Sequence, residues 1–389
     1  MVLKDIAFYV EESISSDYVE LEQYITTDNI LQNKEGRSMA ANLPPQSCGL
    51  THYLPGDILV ANIRPYLKKV WKANIEGGCS KDVLVIRAKE NHYSDYLYAI
   101  TLQDVFFENA MLGNKGTQMP RGDKDKIMEF PVFEHAKEDE RKIGGFISKL
   151  QNKISLNTRL NAELETMAKQ LYDYWFVQFD FPDENGKPYK SSGGKMVYDE
   201  KLKREIPEGW DVKELGSILI LEDYRRIPLS NKERENKKGP FAYYGATGIM
   251  DYIDEYIFDG DYLLLAEDGS ISDDNGNPVI QYIWGKNWVN NHAHIITLNN
   301  KNWLEYSYFF LKSIPVVLIE TGSIQKKINQ ENLMSYNTAF PPDKLIESYC
   351  NITNSIREKQ KRVTDEKNYY THLRDSLLPM LMNGQVTIE

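Results

Sequence analysis

Two stretches of the chain run through the same order of features. In the first, PGDILVANIRPYL is followed by GGCSKDVLVIRA, YLYAITL and GNKGTQMPRGDKDKIMEFPVF; in the second, DGDYLLLAEDGSI is followed by NNHAHIITLNN, YSYFFLK and ETGSIQKKINQENLMSYNTAFPP. Each set reads as a Gly-Asp turn into a buried strand, a second apolar strand, an aromatic helix, and a glycine-containing loop with Gln and basic residues that closes into a proline-ended strand. A repeat on this scale is a duplicated domain, far longer than the period of a solenoid. At 389 residues the chain is also too long for one ordinary core.

Behind each copy lies a long helical pattern. Ile143, Ile147, Leu150, Ile154, Leu164, Leu171 and Trp175 fall on alternating spacings of three and four, as do Tyr349, Ile352, Ile356, Val363, Tyr370, Leu373 and Leu377. Asn157 and Asn161 interrupt the first seam and can fix its register, and Pro379 is expected to stop the second helix. A stripe of this kind also suits an ordinary core helix. Its length decides: about 30 helical residues reach ~45 Å, more than one small domain needs, so the two seams are expected to bury each other. The expected architecture is α+β: two duplicated α/β domains separated by two long antiparallel coiled-coil helices, with pseudo-twofold symmetry. The expected divisions are residues 1–135 for the first domain, 136–180 for the first spacer helix, 181–206 for a polar linker, 207–342 for the second domain and 343–389 for the second helix.

The linker contains NGKPYKSSGGKM, which looks at first like a phosphate-binding loop. It lacks the required earlier glycine, where Tyr189 stands, and the hydroxyl residue after Gly194-Lys195, where Met196 stands. No stretch reaches the ~18 apolar residues of a membrane span and the N-terminus lacks the plan of a signal peptide, so a cytoplasmic protein with no membrane partner is expected. Three scattered cysteines, Cys48, Cys79 and Cys350, fit a reducing compartment and offer no zinc spacing. The net charge of −11 rules out a broadly basic coat but leaves room for a local stripe of Lys and Arg on DNA.

LETMAKQLYDYWFVQFDFP, NGKPYKSSGGKM, IPEGW and LRDSLLPMLMNGQV resemble the conserved regions of the DNA-specificity (S) subunits of type I restriction–modification enzymes. YYGATGIMDYIDEYIFDGDYLLLAEDGS and NIRPYLKKVWKANIEGGCSKDVLVIRA are similar to parts of that family's target recognition domains. The resemblance implies a non-catalytic subunit in which each recognition domain reads one half of a bipartite site on double-stranded DNA. It implies that the helices act as a spacer and bind two methylation (M) subunits, and that restriction (R) subunits join through the complex. S-adenosylmethionine is then expected in the methylation subunit, ATP and Mg in the restriction subunit, and no cofactor in this chain. The first domain opens at LKDIAFYVEESIS without an IPEGW-like entry, where the pattern departs from the family.

Other functions would leave their own residue patterns. A methyltransferase should carry Asp or Asn, then Pro-Pro and an aromatic; NLPPQ and FPPDK both fail. Pro182-Asp183 with Asp199-Glu200-Lys201 imitates a nuclease motif, but both halves lie in polar linker sequence without strand alternation. His292 and His294 share one face of a strand, yet no third ligand lies near in sequence, which favours strand-surface histidines over a metal site. A scaffold without DNA contact is the remaining alternative. Candidate DNA-contacting residues are Lys115, Thr117, Gln118, Arg121 and Lys124 on one glycine-rich loop, and Ser323, Gln325, Lys326 and Lys327 at the matching place. Gln can pair with adenine and Arg with guanine, while Lys mostly meets phosphate. Arg64, Lys68 and Lys69, the pair Tyr243 and Tyr244, and the pair Arg225 and Arg226 complete the set; the tyrosines could equally be buried. Candidate partner-binding residues are Met167, Leu171, Tyr174, Trp175 and Phe176 on the first helix and Leu377, Leu378 and Leu381 on the second, because their apolar surface exceeds one seam.

Overall fold

The computed structural model describes residues 1–112, 119–322 and 325–388. It divides into two compact units, one made of residues 1–161 with 363–389 and the other of residues 162–362. The division passes through both long helices, Lys137–Tyr172 and Asp343–Met382, so each unit owns a stretch of each.

In the first unit, an antiparallel sheet has the order Ala7–Tyr9, Val83–Ala88, Ile58–Ala61, Val70–Lys72. Its central strands are apolar without interruption because both faces are covered. Ile58, Val60, Leu84 and Ile86 face Ile143, Ile147 and Leu150 of the long helix and the aromatic residues of Ser94–Thr101 and Asp104–Ala110. Leu59, Ala61, Val83 and Val85 face a second core with Tyr53, Trp71 and Cys79. That side is closed by a smaller sheet, Ser13–Ser15, Gly49–Tyr53, Gly77–Cys79, Tyr24–Ile25. Leu378, Leu381 and Met382 of the second long helix complete the first core. Cross-helix hydrogen bonds from Arg374 to Gln151 (2.6 Å), Asn157 to Glu366 (3.0 Å) and Asn161 to Thr364 (2.8 Å) run up one helix and down the other, the order of an antiparallel pair.

The second unit repeats the larger sheet: Leu219–Leu221, Ala293–Leu298, Tyr262–Ala266, Ile280–Ile283. The smaller sheets share a centre and differ at the rim. Gly49–Tyr53 pairs antiparallel and Tyr24–Ile25 parallel with Gly77–Cys79; Phe258–Asp259 pairs antiparallel and Lys238–Tyr244 parallel with Lys286–Val289. The fourth strand joins Gly49–Tyr53 in one unit and Lys238–Tyr244 in the other. Here too the long-helix segments run antiparallel: the Tyr349 hydroxyl donates to the Ala168 carbonyl (3.1 Å), and Arg357 donates to Glu165 (3.5 Å).

Three details depart from the sequence expectations. Pro379 sits inside the second helix, which runs on to Met382; so near the C-terminal end a proline removes one hydrogen bond, while Leu378, Leu381 and Met382 remain packed. Ile352, expected on the seam, is exposed, and Thr353, Arg357 and Gln360 are buried instead, because Arg357 pairs with Glu305 of the helix Leu304–Lys312. The segment read as a polar linker is folded: Phe181 stacks on Tyr189 and Trp210, Asp180 accepts from the amide and hydroxyl of Ser191, and Met196–Asp199 forms a hairpin with Arg204–Pro207. Gly194 is required there, since a Cβ would come within 2.6 Å of the Tyr189 ring and carbonyl.

Candidate nucleic-acid interface

In each unit the candidate loop docks on the residue that follows a central core strand, and that residue makes the same pair of backbone hydrogen bonds. In the first unit Asn62 donates to the Asp82 carbonyl (2.8 Å) and accepts from Gly122 (2.9 Å); in the second, Glu267 donates to the His292 carbonyl (2.9 Å) and accepts from Ile328 (2.9 Å). One or two residues later comes an N-capped helix in both cases, Asp123 capping Lys124–Met128 and Asn329 capping Gln330–Ser335. Arg121 and Lys327 therefore occupy matching positions, each one residue ahead of that shared hydrogen bond. The loop similarity read from the sequence is a similarity of backbone position.

In the first unit the structure brings two candidate segments together. Arg64 donates its amide to the Pro120 carbonyl (2.8 Å), and Ile63 bridges Arg121. Arg64 and Lys68 both have left-handed backbones, at φ 51° and 52°, which turn the chain sharply around Pro65–Leu67 and leave Arg64 and Tyr66 exposed. Arg121 is 65% exposed while pairing with Asp82 at 3.0 Å, and Lys124 is exposed 6.0 Å from the Tyr9 ring centre. Lys68 is half-buried against Asp104 (3.0 Å), and Lys69 is committed to the Thr27 carbonyl, with burial lowering its pKa. Lys115, Thr117 and Gln118 lie outside the described residues.

In the second unit Gln325, Lys326 and Lys327 are exposed; Lys326 pairs with Glu320 (2.7 Å) and Lys327 lies 3.8 Å from Asp268. Ser323 lies outside the described residues. Arg225 and Arg226 are structural, against the expectation that they meet phosphate. Arg226 is half-buried between Glu267 (2.6 Å) and Asp223 (3.4 Å) and donates to the Ala293 carbonyl; Arg225 pairs with Glu222, donates to the Ile257 carbonyl and covers the Phe258 ring. Tyr243 is buried, its hydroxyl accepting from the Leu229 amide, while Tyr244 is half-buried in its strand. Tyr224, 84% exposed between those two structural groups, and Tyr66 are aromatic surface the sequence reading missed; alternation of buried and exposed neighbours in a short turn has no periodic signature.

His294 is not a strand-surface histidine. It is buried, with Nδ1 2.5 Å from Asp223 and Nε2 2.7 Å from the Ile328 carbonyl. Asp223, Glu267 and His294 converge within 4.8 Å, as metal ligands can, but both ring nitrogens face acceptors and the Arg226 guanidinium lies on the carboxylates. A ligating histidine must offer a lone pair, so the cluster fits two cations balancing two carboxylates better than a metal.

On the candidate partner surface, Met167 and Tyr174 are exposed and Leu171 is half-buried. Trp175 and Phe176, expected to face a partner, belong to the second unit's own core against Tyr349 and Tyr306, because the helix meets two walls there instead of one seam. Leu378 and Leu381 are likewise inside the first unit's core, with Leu377 at its edge. Val177, 54% exposed, adds to the surface left by Met167 and Tyr174.

Residues 207–346 match the family model for the type I restriction modification DNA specificity domain. The chain is 26% identical over 321 residues to the type I restriction enzyme MjaIX specificity subunit of Methanocaldococcus jannaschii, covering 77% of this chain and 71% of that one. The second unit thus matches the family's domain model, and most of the chain is similar in sequence to a type I specificity subunit. It is also 22% identical to the HindI specificity subunit of Haemophilus influenzae, over 93% of this chain and 94% of that one. Its fold matches the crystal structure of the type I restriction–modification S subunit from M. genitalium with a TM-score of 0.58 at 14% identity, across 98% of this chain and 95% of that one. The family match falls on the second unit; the first is tied to it by the repeated strand order and loop hydrogen bonds. Among the described residues no helix is long and apolar enough to cross a membrane.

Proposed function

We propose that this specificity chain is the sequence-recognition subunit of a type I restriction–modification complex, each unit reading one half of a bipartite DNA site. The observation that carries this reading is the matched loop: the same backbone hydrogen bonds hold Arg121 in one unit and Lys327 in the other, both exposed beside an N-capped helix. A rigid strand end carrying a basic loop is a common way to present side chains to a groove. Arg64, Tyr66, Arg121 and Lys124 would serve the first half-site, and Tyr224, Gln325, Lys326 and Lys327 the second. The chain itself is non-catalytic in this reading. Methylation subunits carrying S-adenosylmethionine dock on the long helices, one of them at Met167, Leu171, Tyr174 and Val177, and restriction subunits using ATP and Mg join through them.

The test is methylation by the chain with and without its methylation subunits, on duplexes altered in one half-site at a time. Arg121→Ala is expected to relax discrimination at one half and Gln325→Ala at the other, each base contact contributing ~1–3 kcal/mol. Methyl transfer by the chain alone, or both substitutions acting on the same half-site, would refute the proposal.

A further inference from the structure

The buried cluster in the second unit joins the candidate DNA loop to a turn and two strands of the sheet behind it. Asp223 comes from the turn Glu222–Arg226, Glu267 from just past the strand Tyr262–Ala266, His294 from the strand Ala293–Leu298, Ile328 from the loop itself and Gln330 from the start of the helix that follows it. Asp223 accepts from the Ile295 amide (2.8 Å), from Gln330 (2.7 Å) and from His294. His294 spans the gap, with Nε2 on the Ile328 carbonyl directly behind Lys327. A neutral imidazole has one N–H, whereas here Nδ1 faces a carboxylate and Nε2 a carbonyl, two acceptors that both need a donor. Only the imidazolium satisfies both.

We infer that His294 is a positioning residue for DNA recognition by the second unit, held as an imidazolium that ties the Lys326–Gln330 segment to the sheet. The groups facing it are Asp223, Glu267 (3.7 Å) and Arg226, with the His292–Asp268–Lys327 set one layer out. Burial opposes the charge, but the hydrogen bond and charge of Asp223 and the Ile328 carbonyl outweigh it and raise the pKa above the ordinary 6.5. The complementary effect holds Asp223 low: burial opposes its charge, and His294 outweighs it. A raised folded pKa stabilises at pH below the unfolded value, and the contribution is lost as pH rises through the folded one. The clamp therefore loosens on the alkaline side. Among the described residues of the first unit, the matching loop is held by the Gly122–Asn62 and Arg64–Pro120 backbone hydrogen bonds and the Arg121–Asp82 pair, with no histidine among these groups, so only the second unit's half-site is expected to acquire the pH dependence.

The role given to the loop rests on the DNA-recognition reading; the charge on the ring does not, and the test separates them. Histidines of the complete chain are labelled with carbon-13 at Cε1 and titrated by NMR. There are six, and His294→Gln identifies the one that disappears. His294 is expected to titrate above 6.5, and a ring already neutral at pH 6.5 would overturn the inference. In parallel, the chain assembled with its methylation subunits is assayed on duplexes altered in either half-site as pH is raised. Discrimination at the second unit's half-site is expected to fall roughly tenfold, the scale of one lost charged hydrogen bond, through the same midpoint. Discrimination at the other half should hold, and Asp223→Asn, which removes the counter-charge, should move the midpoint down. A wild-type complex whose discrimination is unchanged while the ring loses its proton overturns the positioning role alone. A complex with no half-site preference at any pH overturns the recognition reading and the loop's role with it.

Discussion

Arg357 shows how far a single residue can escape a periodic reading. Its neighbours Ile352 and Ile356 suggest an apolar seam, yet Arg357 is buried, donating to Glu305 at 2.6 Å and Glu165 at 3.5 Å, with Glu165 also accepting from Tyr308 (2.8 Å) and Lys312 (3.2 Å). The partner Glu305 is 52 positions away in sequence, so nothing local announces the pair. Removing one partner leaves a buried charge without compensation. Arg357→Met is expected to destabilise the second unit by roughly 3–5 kcal/mol, while Arg357→Met with Glu305→Leu should cost far less. Hydrogen exchange at the amides of Leu304–Lys312 measures both, and equal losses in the single and double variants would contradict the buried-pair account. Arg225 and Arg226 teach the same lesson: their composition suggested phosphate, and only the fold reveals Glu222, Asp223 and Glu267 around them.

At the scale of elements, the sequence was most readable where burial imposes a period. The runs ILVA and VLVIRA were legible as core strands because both faces are covered, and the long helices because their apolar positions recur over about eight turns. Less legible were turns whose shape depends on a contact from elsewhere, such as the folded stretch around Tyr189, and helix positions whose role is close approach. Gly144 and Gly145 illustrate the last point. Helix propensity treats them alike, but a Cβ on Gly144 would collide with the Tyr96 amide and come within 2.7 Å of the Asp95 carbonyl carbon, while one on Gly145 meets nothing within 4 Å. Gly145→Ala is therefore expected to stabilise the first unit by about 1 kcal/mol. Gly144→Ala forces the long helix off Ser94–Thr101 and should cost on the order of 1–3 kcal/mol. Denaturant unfolding of the two variants should give opposite signs; the same sign in both would mean that the helix does not seat on Tyr96 as described.

At the scale of the molecule, the first unit is discontinuous: residues 363–389 return to it, placing Leu378, Leu381 and Met382 in the core begun by Leu3 and Ile6. A contiguous reading of domains from the repeat could not see this, because the repeat marks strands and loops and carries no signal for which helix end fills which core. A chain ending at Arg362 should accordingly lose amide protection across residues 58–110 and keep it across 262–312. The reverse pattern would contradict the division. Charge is the other property of the whole chain. A net −11 repels DNA at long range, so the proposed binding would depend on local cations such as those of the loops, working against a screened background. If Lys326 and Lys327 meet phosphate, each releases close to one counterion, and the slope of log K against log salt should fall by about 1.8 in Lys326→Met with Lys327→Met. Phosphate contacts carry no base information, so the half-site sequence methylated by the assembled complex should stay the same while affinity drops. A double variant with the parental salt slope would remove both lysines from the interface, and one with the parental slope but an altered half-site would reassign them to base edges.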